Sequence, residues 1–305
     1  MTFVATSTSG FYERSLSQME TLRGSLQQLQ SQIATGQRIE RGSDDPVGAA
    51  RLRSLSRVER LNNVEQENAA RLGQDIGAAA REVEGVLNLY QRVRELAVAG
   101  ASDTLGEDGR EAIALELEQI GEELFARSNA TNFTGQPLFA GTAGAPAFVE
   151  GAGGAVIYNG NSENAAVPIA LGTEIERSVT GDQLFEFDVD GTPTNAFAVT
   201  SGLAAALSPG APDPASAAQG ALAEIDAAID TANRNQTVLG TRLAWVEVIQ
   251  QSQNELSIDI EEQRSEVGDT DIAEAITRLQ QTLTVLEASQ SSFVRVSSLN
   301  LFNAL

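Results

Sequence analysis

Two stretches of this 305-residue chain put carboxylates where they could do chemistry. In "LFEFDVDGT", residues 184–192, Asp188 and Asp190 alternate along an apolar segment that ends in Gly-Thr. Such a pair can supply a nucleophile and a general acid around a divalent cation. In "SDDP", residues 43–46, Asp44 and Asp45 stand side by side before a proline. Adjacent carboxylates can hold a metal, share a proton, or start a helix.

The first stretch resembles the opening motif of haloacid-dehalogenase-type phosphotransferases, in which Asp188 would be the nucleophile and Asp190 the general acid beside Mg²⁺. Three features favour a plain β-hairpin with Asp190-Gly191 as its two-residue turn. The phosphotransferase fold needs a parallel α/β sheet after the motif, whereas a linker and helical repeats follow here. Its phosphate-binding lysine has no counterpart, because all 20 basic residues are arginine. Glu186 within "LFEF" suits a strand with one wet face and not a buried central strand.

The second stretch reads as a helix start. Proline fits the first helical position, where its missing N–H needs no partner. Asp45 is then the N-cap, and Asp44 adds negative charge at the positive end of the helix dipole. Ser43, Asp44, Asp45 and Pro46 together form a helix-cap motif. A third acidic run, "SDTLGEDGRE" at 102–111, misses calcium-loop spacing. It reads as a solvated turn, with Glu107 or Asp108 capping a helix from Arg110.

Composition narrows the chemistry further. The chain has no Cys, no His and no Lys. Thiolate metal sites, Ser-His-Asp and Cys-His nucleophiles, disulfides and Schiff-base lysines are thereby excluded. Neither a catalytic group, nor a cofactor, nor a metal is expected. The net charge of −22 is unevenly spread. Residues 1–100 hold 12 acids and 12 arginines; residues 101–305 hold 30 acids and 8 arginines. Such a surface repels nucleic acid and anionic membranes. The start "MTFVATSTSGFYERS" has no charged n-region or apolar h-region, so no cleavable signal peptide is expected. No window reaches the ~18 apolar residues of a membrane span.

The elements that carry these stretches follow from proline placement and periodicity. Seven of the eight prolines lie within residues 137–214, and the eighth is Pro46. The segments 47–136 and 215–305 are free of proline, as long helices require. Heptad stripes run through both and through the stretch before Pro46: Met19, Leu22, Leu26, Leu29 and Ile33; Leu72, Ile76, Ala79, Val83, Val86, Tyr90, Val93 and Ala97; Leu222 to Val246; and Ile272, Ile276, Leu279, Leu283 and Leu286. A sustained 3.5-residue repeat marks a left-handed coiled coil, although a helical bundle core gives similar stripes. A helix of ~50 residues spans on the order of 75 Å, which points to an elongated molecule. Residues 133–214 read as short strands and hairpins, and "SPGAPDPASAAQG", 208–220, as a linker. The expected fold is mainly α: an elongated antiparallel helical rod or coiled coil from both chain ends, with an inserted small β-rich domain.

The sequence also resembles a family. "LSQMETLRGSLQQLQSQIATGQRIERGSDDPVGAARLRSL", 16–55, is similar to the N-terminal region shared by flagellins and flagellar hook-associated proteins. "GEDGREAIALELEQIGEELFARSNATNFTGQPLFAG", 106–141, is similar to the next helix and turn, and "LNLFNAL" to the closing pattern. "SDDPVGAA", "LFAG", "YNGN" and the ending "LFNAL" favour the hook–filament junction members over filament flagellins; the start "MTFVATST" departs from the usual Arg-Ile beginning.

The resemblance implies a structural, non-enzymatic axial protein of the bacterial flagellum. It implies a terminal coiled coil of 1–40 with 270–305, a helical layer of 41–132 with 215–269, and an outer β domain of 133–214. The terminal stripes Met19–Ile33 and Ile272–Leu286 would be the assembly interface. It further implies unfolded export without a cleavable signal through the flagellar type III apparatus to the cell exterior. The implied partners are a cytosolic export chaperone, hook-associated protein 1, flagellin and further copies of the chain.

Overall fold

In the computed structural model, the backbone is described for residues 3–302 and side chains for 10–297. Seven α-helices and six short strands follow one another among the described residues. They are α1 (Phe3–Thr35), α2 (Pro46–Gly100), α3 (Glu107–Ser128), β1 (Phe148–Glu150), β2 (Val156–Tyr158), β3 (Ala166–Ala170) and β4 (Thr173–Glu176). After these come α4 (Gly181–Phe185), β5 (Glu186–Val189), β6 (Thr192–Asn195), α5 (Ala196–Leu207), α6 (Pro214–Gly268) and α7 (Ile272–Phe302). Long helices from both ends of the chain thus flank small antiparallel sheets. The closing Asn303, Ala304 and Leu305 lie outside the described residues.

The two longest helices are built alike. Both α2 and α6 have 55 residues, begin with proline and end with glycine. Pro46 follows Asp45 and Pro214 follows Asp213, whose Oδ1 accepts from the Ser216 N–H at 3.2 Å. Proline fixes φ for the first turn and the aspartate fills an orphan N–H. The helix thus begins at Pro214, inside the stretch read as a linker, which shrinks to residues 208–213.

Packing divides the chain into two compact units, Met1–Leu61 with Leu256–Leu305, and Asn62–Glu255. In the second unit, the stripe Leu72, Ile76, Ala79, Val83, Val86, Tyr90, Val93 and Ala97 is buried along its whole length. It forms one core with Leu117 and Leu124 of α3, Leu203 and Leu207 of α5, and Ile225 and Leu239 of α6. Phe148, Phe185 and Phe197 close that core, with ring centroids 5.1–5.3 Å apart.

The region between α3 and α6 is only partly β. It holds three separate antiparallel hairpins, β1–β2, β3–β4 and β5–β6. Leu184 and Phe185, read as strand, belong to the short helix α4, and "AFAVTSGLAAAL" forms α5. The α5 run is apolar on most faces, so period could not separate helix from strand there. Asn195 ends β6 and caps α5 through its side chain, 2.8 Å from the Ala198 N–H. In α3, Gly106 is the N-cap and contributes no side chain, so Glu107 and Asp108 sit inside the first turn. They act there through the helix dipole and not as caps.

Two motifs far apart in sequence form one knot. Gly141, with φ +66°, ends "LFAG" beside Asn161 of "YNGN". The Asn161 side chain accepts from the Thr142 N–H at 3.0 Å and donates to the Thr142 hydroxyl at 2.7 Å. The Tyr158 hydroxyl lies 3.1 Å from the Phe139 carbonyl, to which it donates.

Candidate assembly surface

The unit holding both chain ends begins at the joint after α1. Gly36, with φ +72°, ends the helix. The Gly36 carbonyl accepts from the Thr270 N–H at 2.8 Å, and the Arg38 N–H donates to Gly268 at 2.7 Å. Gln37 and Asp269 form a β-bridge between them. The Arg38 guanidinium donates to the Val267 carbonyl at 2.6 Å and to Asp45 Oδ2 at 3.3 Å. One arginine therefore satisfies two orphan carbonyls at the C-terminus of α6 and holds the cap of α2. No local sequence pattern signals this, because the partners Arg38 and Val267 are 229 residues apart.

The carboxylates of "SDDP" have separate jobs. Asp45 Oδ1 accepts from the Gly48 N–H at 2.9 Å. That bond, more than the Arg38 charge, lowers the Asp45 pKa below its ordinary 3.8. A Cβ at Gly48 would lie 2.5 Å from the Asp45 carboxylate, so only glycine leaves room for this cap. Asp44 turns the other way. Its Oδ2 accepts from the backbone of Glu40 and Arg41, at 3.2 and 2.8 Å, and pins the bend before the helix.

The helices α1 and α7 run antiparallel: Tyr12 packs edge-on against Phe293, with centroids 5.3 Å apart, at the end opposite the Gly36–Thr270 joint. Met19, Leu22, Leu29 and Ile33 are half-buried along α1, and Leu26 is buried. The matching face of α7 is Ala275, Leu279, Thr282, Leu286, Ser289 and Phe293, in 4-3-4-3-4 steps. Leu279 and Leu286 belong to the stripe read from sequence, but Ile272, Ile276 and Leu283 do not face α1. They are exposed at 50%, 41% and 39%. Two overlapping stripes share Leu279 and Leu286, and the less apolar one faces α1. It can do so because the Thr282 and Ser289 hydroxyls donate to carbonyls one turn back on their own helix.

Asp188 and Asp190 lie at the β5–β6 turn. Val189 pairs with Thr192, so Asp190 and Gly191 form the two-residue loop, with φ of 51° and 80°. Positive φ at both positions is the type I′ signature. Asp188 Oδ1 accepts from the Gly191 N–H at 2.7 Å. The pair closes a hairpin, and every sheet among the described residues is a two-stranded antiparallel one. Among those residues no group of three or more acidic side chains is placed to hold a metal, and no helix is long and apolar enough to cross a membrane.

Comparison with known proteins agrees with this architecture. Residues 7–144 match the bacterial flagellin N-terminal helical region. The fold is also that of a structure of a putative flagellar hook-associated protein from Vibrio parahaemolyticus, with a TM-score of 0.67 and 22% identity over 73% of this chain and 98% of that one. These similarities support a structural axial role in the bacterial flagellum. Over nearly its whole length the chain is similar to flagellar hook-associated protein 3 of Salmonella typhimurium, 25% identical over 97% of this chain and 98% of its relative. Similarity to flagellin is more local: the flagellin of Clostridium tyrobutyricum is 32% identical, but over 36% of this chain and 29% of its own length.

Proposed function

We propose that the protein joins the hook to the flagellin filament, contacting hook-associated protein 1 on one side and flagellin on the other. The observation that carries this reading is the similarity to hook-associated protein 3 over 97% of this chain, against 36% for a flagellin and 80% for a flagellar filament core protein. The work is mechanical and not enzymatic. A head-to-tail contact between copies builds a helical array without closing early into a ring. The exposed Ile272, Ile276 and Leu283 supply apolar area for such contacts, at roughly 25 cal/mol per Å² buried. Within the terminal stripes Met19–Ile33 and Ile272–Leu286, the exposed Ile272, Ile276 and Leu283 are thus the part open to neighbouring copies, and residues 133–214 form the outer domain. The chain leaves the cell through the flagellar type III apparatus, held beforehand at its C-terminal segment by a cytosolic chaperone.

Deletion of the gene followed by electron microscopy tests this. Hooks without filaments, with flagellin secreted into the medium, are the expected result. Loss of only some filament subunits would instead support a second reading, a flagellin, which the local flagellin similarity favours.

A further inference from the structure

Two surfaces of opposite charge are built from elements other than α1 and α7. The first is the outer face of α2 within the unit of Met1–Leu61 and Leu256–Leu305. Val47 and Leu61 are exposed there at 81% and 61%, and Val58 lies between them. Helical spacing puts these three on one ridge. Arg51 flanks the ridge on one side, and Arg53 and Arg57 on the other; all three are exposed. No ion pair or hydrogen bond among the described residues engages them.

The second surface lies wholly within the Asn62–Glu255 unit. A groove of about 720 Å³ runs between α3, α5 and the tip of the β1–β2 hairpin. Leu117, Phe125 and Phe197 line its apolar part, and Glu118, Glu122 and Glu150 line the rest, with no arginine among the lining residues. Glu118 and Glu122 are one turn apart on the exposed side of α3. A groove of this size and character suits an apolar side chain or two with a cation beside them.

We infer that the α2 ridge of one copy docks into the α3–α5 groove of a second copy. This rests on the reading that the protein works as an array. Both halves of the complementarity are present on this chain: an apolar ridge with unpaired arginines, and an apolar groove with unpaired glutamates. A foreign acidic protein would satisfy the ridge and leave the groove empty. Because ridge and groove are different patches, the contact is head-to-tail, and each copy added exposes a fresh ridge or groove. Charge complementarity of this kind sets partner choice and is weakened by salt.

Charge reversal on the purified full-length chain tests the inference, read by sedimentation velocity over a concentration series. The variants are Arg51→Glu with Arg57→Glu, and Glu118→Arg with Glu122→Arg. All four sites are on the surface, and circular dichroism checks that each variant stays folded. The wild type is expected to self-associate in a concentration-dependent way that high NaCl weakens. Each double variant carries like charges on both patches and should associate about tenfold more weakly or less. An equimolar mixture of the two should recover association by alternating, and so should the fourfold variant.

A wild type that stays monomeric at low salt overturns the inference. So does association untouched by either reversal, or a mixture that fails to recover. Loss of binding to hook-associated protein 1 with self-association unchanged would assign the ridge to that partner and also overturn it. The junction reading stands or falls separately, on the micrographs of the deletion strain.

Discussion

Arg38 and Asp45 lie 3.3 Å apart, and the same guanidinium donates to the Val267 carbonyl at the end of α6. The start of one 55-residue helix is thereby tied to the end of the other. Arg38→Ala leaves the Val267 carbonyl and the Asp45 carboxylate without this partner. Thermal unfolding should show an earlier loss of helix signal, whereas Arg38→Lys, which keeps charge but not the planar fork, should recover only part of it.

Asp45→Ala removes the α2 cap. A typical cap loss lowers a melting midpoint by roughly 2–4 °C in a unit of this size. Mg²⁺, Ca²⁺ and chelator should leave both proteins unchanged. The pH dependence has a definite sign. The Asp45 pKa is depressed on folding, so its contribution is complete above the unfolded value and is lost as pH falls through the folded one, below 3.8. The gap between wild type and variant should therefore close in acid.

On α7, the two stripes should separate in experiment. Leu286→Ala empties the face against α1 and should destabilise the terminal pair by about 2 kcal/mol. Ile276→Ser with Leu283→Ser changes the exposed stripe and should leave melting unchanged. In cells the second variant should still block filament growth, scored by motility and electron microscopy. Normal motility would remove the exposed stripe from the assembly interface.

Gly141→Ala should disrupt the knot of "LFAG" and "YNGN". The added Cβ would lie 2.3 Å from the Asn161 carbonyl oxygen, with φ at +66°. Clash and backbone strain together exceed about 2 kcal/mol. The expected readout is a lower melting midpoint and a loosened near-UV signal from Tyr158.

Asp188→Asn with Asp190→Asn should leave motility intact, because Asn-Gly forms the same type I′ turn. Asp190→Val should destabilise the hairpin by about 1 kcal/mol, since a β-branched residue resists positive φ. Neither the wild type nor the variants should hydrolyse an aryl phosphate with Mg²⁺. Turnover lost in the Asn variant would restore the phosphotransferase assignment.

The legible parts of this sequence are those where one physical signal acts alone. The stripe from Leu72 to Ala97 has no competing apolar face, and all of it is buried. The Asp190-Gly191 turn is readable because few residue pairs tolerate two positive φ angles. Where signals overlap, reading falters. "AFAVTSGLAAAL" is apolar on most of its faces and forms α5, not strand. Pro214 opens a helix as Pro46 does, but the prolines before it disguise the start as a linker. Arg38 left no local trace at all. On α7 the greasier stripe was legible, while the stripe facing α1 includes Thr282 and Ser289.

That overlap gives α7 the character of a cam. Leu279 and Leu286 lie at the centre, with Ala275 and Thr282 to one side and Ile276 and Leu283 to the other. With successive residues about 100° apart around the axis, the midlines of the two stripes differ by roughly 50°. A turn of that size about its own axis would exchange Ala275 and Thr282 for Ile276 and Leu283 against a neighbour while Leu279 and Leu286 stayed engaged. One helix thus carries two apolar faces that share Leu279 and Leu286 as a common row.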